Sequence, residues 1–212
     1  MSVLNRIAHF QNRRDEVPNQ ALARDLALND DKAGIREIAE HLWDKNKNVQ
    51  ADCIKVLYEI GALSPKLIAD YFDDLLKLLK SKNNRLVWGA MTALAFIAEV
   101  KADKIFAHLP EIKKAIDNGS VITIDNGIQA LALSASQEDK YNKAIFPYLL
   151  DHLKTCRPKD VAQHAEKTLP ALNAANKAEF ISSLEKRMDD LSGSGLTRVK
   201  KVIKEASQRS NV

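Results

Sequence analysis

Residues 84–97 read NRLVWGAMTALAFI, and this stretch decides the fold. Ala90, Ala93 and Leu94 stand at i, i+3 and i+4, so they share one face of a helix. A small residue lets a neighbouring helix approach closely, and the leucine fills the space beside it. Burying such a leucine contributes roughly 1.5–3 kcal/mol. The same set recurs along the chain: Cys53, Val56, Leu57; Gly127, Ala130, Leu131; Ala165, Thr168, Leu169; Val199, Val202, Ile203. Successive spacings are 37, 37, 38 and 34 residues.

Each set follows a short polar stop, at 45–48, 81–84, 118–120, 157–159 and 192–195. Before each stop lies another helical stretch ending in an apolar residue. Leu42, Leu79 and Ile116 precede Val49, Leu86 and Thr123 by seven residues each. Pro110 and Pro147 lie 37 apart within first helices, where a proline removes a backbone donor and bends the helix. Ser64 and Pro65 read as an N-cap and first-turn proline. No run alternates at period two, so no strand is expected. The spacing therefore predicts tandem two-helix units over 32–63, 64–101, 102–139, 140–175 and 176–209, one continuous domain over 32–209. Residues 1–31 are expected to cap the open end, with Val3, Leu4, Ile7 and Phe10 as an apolar stripe and a helix from Pro18 to Leu28.

Composition fits this reading. Of 212 residues, 45% are hydrophobic and 28% charged, with only 7 glycines and 6 prolines, which excludes a disordered chain, collagen and a turn-rich β protein. The longest apolar stretch, 86–100, is too short and interrupted for membrane insertion. No secretory leader is expected at the N-terminus. The net charge of +4 comes from the last helix, where Arg198, Lys200, Lys201, Lys204 and Arg209 face only Glu205. Arg198, Lys201 and Lys204 are candidate anion contacts, beside a Gly193-Ser194-Gly195 loop. Cys53 and Cys156 are far apart in sequence and form no Cys-x-x-Cys, so reduced thiols and a cytoplasmic setting are expected.

Units of about 37 residues with a bent first helix and an A-x-x-A-L core in the second resemble HEAT repeats, over Lys32 to about Ser207. The resemblance implies an all-α, right-handed α-α superhelix whose second helices line a concave face. Where many HEAT units carry a ladder arginine, this chain has Gln50, Val87, Ile124, Ala162 and Leu196.

Relative to the small core residue, offsets −2, +2 and +5 point away from the core. These columns read Ala51, Trp88, Asp125, Gln163, Thr197; Lys55, Thr92, Gln129, Lys167, Lys201; and Tyr58, Ala95, Ala132, Pro170, Lys204. Lys55, Tyr58, Trp88, Asp125, Gln129 and Lys167 are the candidate partner-binding residues. Trp43 reads as packing at a repeat edge. His9, His41, His108, His152 and His164 show neither His-x-x-x-His nor His-Glu-x-x-His, so no metal is expected. No phosphate loop or nucleophile elbow occurs, and no cofactor or catalytic residue is expected. The favoured function is a non-catalytic scaffold that binds a protein or peptide in the groove. The alternative rests on a weaker resemblance to DNA-alkylation-repeat glycosylases. It implies nucleic-acid binding, with Trp88 stacking on a base and Asp125 stabilising a cation. In that family's Trp-x-x-x-Asp spacing, this chain has Thr92 in place of the carboxylate.

Overall fold

The computed structural model describes residues 2–209, and among them every regular element is helical. After a single 3-10 turn at Leu4–Arg6, the first helix is α1 (Val17–Leu28), with Pro18 in its first turn. Then come α2 (Lys32–Glu40), α3 (Lys47–Leu63), α4 (Phe72–Leu78), α5 (Asn84–Phe96), α6 (Ala102–Ala107), α7 (Leu109–Asp117), α8 (Val121–Ala135), α9 (Asp139–Thr155), α10 (Pro158–Thr168), α11 (Lys177–Arg187) and α12 (Gly193–Gln208). The helices α3, α5, α8, α10 and α12 are the five second helices read from the sequence. They stack side by side in chain order, and α1 extends the row by packing on α3. The first helices form the outer layer of this solenoid. Among the described residues, no helix is long and apolar enough to cross a membrane.

The repeating core sets drive the stacking. All fifteen residues are buried except Ile203, which is partly covered. Glycine at the small position is a packing requirement at Gly127, where a Cβ would overlap the side chain of Ile116. At Gly89, a Cβ would lie 2.7 Å from Ile54 Cγ1.

Three of the five stops are explained by side-chain capping. Asn46, Asn83 and Ser120 are N-caps of α3, α5 and α8, and each side-chain oxygen accepts a backbone N–H of its helix. They lie 37 residues apart, as the core sets do. Such a cap contributes about 1 kcal/mol. Asn83 also donates to Gln50 Oε1 at 3.3 Å, and Gln50 donates to the Asp44 carbonyl at 2.7 Å. A neutral amide bridge thus stands between the first two units where an Asp–Arg pair is common in HEAT repeats.

Four local expectations are revised. At Pro110 the first helix is not merely bent: it divides into α6 and α7 around His108, with Pro110 in the first turn of α7. Ser64 makes no side-chain cap, and Pro65 opens a 3-10 turn instead of a helix. Gly193-Ser194-Gly195 is the first turn of α12 and not a loop, with Gly193 at φ +54°. Trp43 does not pack at a repeat edge; it is 51% exposed.

The N-terminal cap is built by hydrogen bonds as much as by apolar contact. Ile7 is fully buried, whereas Phe10 points outward. Asn19 on α1 accepts from the Ala8 N–H at 2.9 Å and donates to Asp52 on α3 at 2.9 Å. Asp52 also accepts from the His9 N–H at 2.7 Å. One carboxylate therefore fastens the leading segment to both α1 and α3. This satisfies donors that would otherwise be buried without partners.

Candidate functional site

The inner face is less open than helical geometry alone predicts. Ala95 and Ala132, at offset +5, are fully buried, because the adjoining helices approach closely enough to cover the shoulder of each one. Trp88, Asp125 and Gln163 at offset −2 are half-buried, as are Gln129 and Lys167. Only on α12 does the row become exposed, at Thr197, Lys201 and Lys204.

Two clusters divide the expected partner-binding residues other than Gln129. The first lies at the N-terminal end. Tyr58 on α3 and Trp88 on α5 stack at a tilt, with ring centroids 5.9 Å apart. Lys55 Nζ lies 4.8 Å from the Tyr58 ring centroid. Its ammonium also sits 2.7 Å from both Glu16 and Glu59. Burial alone would depress the lysine pKa, but the two carboxylates outweigh it and hold the group above its ordinary value. Lys55 is thus a charged wall residue already neutralised by its neighbours. Tyr58 is pushed up by burial, so its hydroxyl remains protonated at neutral pH.

Between Lys55, Trp88 and the leading segment lies a cleft of about 580 Å³, which Tyr58 supports from behind Trp88 without lining it. Trp88 and Arg85 line it from α5, and Arg13, Arg14 and Glu16 from the leading segment. Arg13 pairs with Asp15 at 2.9 Å. Among the described residues, no carboxylate pairs with the guanidinium of Arg14 or Arg85.

The second cluster is centred on Asp125 of α8. One carboxylate oxygen accepts from Gln163 Nε2 at 2.8 Å, and the other bonds His164 Nε2 at 2.7 Å. Lys167 Nζ donates to the Asp125 backbone carbonyl at 2.8 Å, and burial lowers the lysine pKa. Asp125 and Lys167 therefore bind the third and fourth units together. Each carboxylate oxygen of Asp125 is thus engaged by a side chain of the fourth unit. Trp88 and Asp125 belong to different clusters.

The sequence reading missed His164, which is 2% exposed, and its neighbour His152. His152 and Cys156 stand at i and i+4, a spacing that a search for histidine pairs alone passes over. At the C-terminal end, Arg198 is engaged by Glu166 through two hydrogen bonds of 2.9 and 2.7 Å. Lys201 and Lys204 remain as exposed cations.

No protein-family model matches the sequence, and a comparison with curated proteins returned no match. Solved structures do match. A designed armadillo repeat protein in complex with a (KR)4 peptide superposes with a TM-score of 0.68 at 18% identity, over 97% of this chain and 99% of that one. An engineered protein matches with a TM-score of 0.65 at 19% identity, over 98% and 97%. Kap121p matches with a TM-score of 0.63 at 17% identity, and this chain spans 22% of its length. Side-by-side second helices, repeating caps and these superpositions agree: the chain has the armadillo/HEAT-like α-solenoid fold.

Proposed function

We propose that this solenoid is a non-catalytic scaffold that holds a protein or peptide segment against its inner face, at the end bounded by the leading segment. The observation that carries the proposal is the Tyr58–Trp88 pair beside a cleft of about 580 Å³ whose Arg14 and Arg85 lack carboxylate partners among the described residues. Part-covered aromatic rings and arginines are the side chains that dominate binding energy at protein interfaces. The cleft suits a segment with an apolar side chain for Trp88 and carboxylates for the two arginines. The fold is consistent with such a role, since a stack of rigid helices presents an extended surface without reorganisation. One of the matching armadillo proteins is itself in complex with a peptide.

A direct test uses Trp88 as the reporter. With Trp43→Phe it becomes the sole tryptophan. Peptides selected from a random library on the full chain should be enriched in acidic residues flanking an apolar one, and should shift the Trp88 emission on binding. Arg85→Glu should weaken them roughly tenfold or more, the scale of losing a charge-assisted contact. Selection of peptides that bind equally well to Arg85→Glu and Trp88→Ala would place binding elsewhere. Release of free base from alkylated duplex DNA would overturn the non-catalytic reading.

A further inference from the structure

We propose that His152, Cys156 and His164 form a binding site for a borderline-soft divalent cation of the Zn²⁺ class, held by two imidazole nitrogens and one thiolate with a fourth position open to solvent. The site is separate from the N-terminal cleft and does not rest on the partner-binding reading proposed there.

The geometry carries the proposal. The three donor atoms lie within 4.8 Å of one another. His152 and Cys156 share the end of α9, where Cys156 is the C-cap, and His164 faces them from α10. His152 Nε2 and His164 Nδ1 are 2.9 Å apart. Zinc takes nitrogen at about 2.0–2.1 Å and sulfur at about 2.3 Å. A tetrahedral ion on these atoms needs about 3.3 Å between the nitrogens and about 3.6 Å from each nitrogen to sulfur. The nitrogen pair must therefore open by a few tenths of an ångström and the sulfur must swing inward by about 1 Å. Rotation about χ1 of a part-buried C-cap cysteine supplies that movement.

The surroundings match what metal-bound imidazoles require. His164 is oriented from its far side by Asp125, which Gln163 holds in turn. A carboxylate on the distal ring nitrogen fixes the tautomer and strengthens the nitrogen that faces the metal. Asp125 accepts the hydrogen on Nε2, leaving Nδ1 of His164 turned toward His152. Arg187 donates to the carbonyls of Leu153 and Cys156 at 2.6 and 2.9 Å, which pins the end of α9 that carries two of the donors.

Burial acts on the two ligands in opposite directions, favouring the neutral His152 ring and opposing the Cys156 thiolate. Burial and the neighbouring His164 push His152 down to about 4, so its imidazole is neutral at pH 7. Asp117, Asp160 and Asp125 act in the opposite direction without reversing it. Burial raises the Cys156 thiol, with Asp160 adding to the rise and Arg187 opposing it. In the metal-free protein, the neutral His152 donates its Nε2 hydrogen to His164 Nδ1. On binding, that hydrogen moves to His152 Nδ1 by tautomer exchange through solvent. The Cys156 S–H bond breaks, its sulfur pair forms the bond to the metal, and its proton passes to solvent. Binding releases one proton and so strengthens as pH rises.

The test uses the chelator-treated full chain titrated with Co²⁺, a spectroscopic substitute for Zn²⁺. One equivalent should produce the near-ultraviolet thiolate-to-cobalt charge-transfer band and the visible bands of a four-coordinate ion, and Zn²⁺ should displace both. Cys156→Ser should abolish the charge-transfer band, and His152→Ala should weaken binding by about tenfold or more. Cys53→Ala and His9→Ala should leave both readings unchanged. His152 is only part-buried, so His152→Ala keeps the test valid even where Cys156→Ser disturbs packing. Absence of the charge-transfer band, or affinity unchanged in His152→Ala, would overturn the site and leave the two histidines as a hydrogen-bonded packing pair.

Discussion

His164 Nε2 lies 2.7 Å from Asp125 Oδ1, joining the fourth unit of the solenoid to the third through a nearly buried polar contact. A buried donor that loses its acceptor costs its full desolvation, about 1–3 kcal/mol, and more when the acceptor is charged. Asp125→Ala should therefore lower stability to urea by about 2–4 kcal/mol. Asp125→Asn should cost less, because an amide still offers one acceptor. Equal and negligible costs for both would show that this contact does not hold the units together.

The histidine pair also predicts a pH dependence. His152 titrates near 6.5 when unfolded and near about 4 when folded. Between these values the unfolded chain binds more protons, so stability falls as pH drops through that window. The contribution is present in full above pH 6.5 and lost by about 4, amounting to roughly 2–3 kcal/mol after allowance for solvent screening. Urea denaturation from pH 7.5 to 4.5 with chelator present should show the loss in the native chain. His152→Gln should flatten that part of the profile, and an unchanged slope would refute the assignment.

Trp88→Ala should leave the helical circular dichroism signal intact and cost about 1–2 kcal/mol, since the ring is only part-covered. The same change should abolish binding of peptides selected on the cleft. Collapse of the fold would instead make Trp88 a core residue.

Gly127→Ala should destabilise by about 1–3 kcal/mol through overlap with Ile116. Ile116→Ala in the same chain should recover part of that loss, because it removes both Cγ1 and Cδ1 from the overlap. The two substitutions measured singly and together give the coupling directly, and strict additivity would mean that the contact is not the cause.

Asn142 is buried where α9 meets α11. It donates to the Ala171 carbonyl at 2.7 Å and accepts from Asn173 and Asn176 at 3.2 and 3.0 Å. Asn142→Leu should cost about 1–3 kcal/mol by stranding the Asn173 amide, while Asn176 still donates to the Ala171 carbonyl. A neutral result by thermal or urea unfolding would show that solvent satisfies that amide equally well.

The repeat was legible in the sequence because a local rule writes it. Residues at i, i+3 and i+4 share a helix face whatever lies around them, so Ala90, Ala93 and Leu94 and their counterparts announced a buried seam. The polar stops at 45–48, 81–84 and 118–120, which hold the caps Asn46, Asn83 and Ser120, announced where the first three of these helices begin. The exposed side followed from the same wheel only in part. Offset +5 points sideways, and Ala95 and Ala132 are covered because a neighbouring helix lies there. The engagement of Lys55 by Glu16 depends on a leading segment folding back onto α3 from 39 residues away.

Helix periodicity, capping and the side-by-side solenoid were thus determined by the sequence alone, because each depends on neighbours within a turn or on a pattern repeated every 37 residues. Which polar side chains meet was decided only by tertiary structure. Asp125 and His164 are 39 residues apart, and no spacing rule encodes a contact made by the pitch of one unit on the next. That pitch is set by packing of the whole core, so the charges it brings together become visible only once the units are stacked.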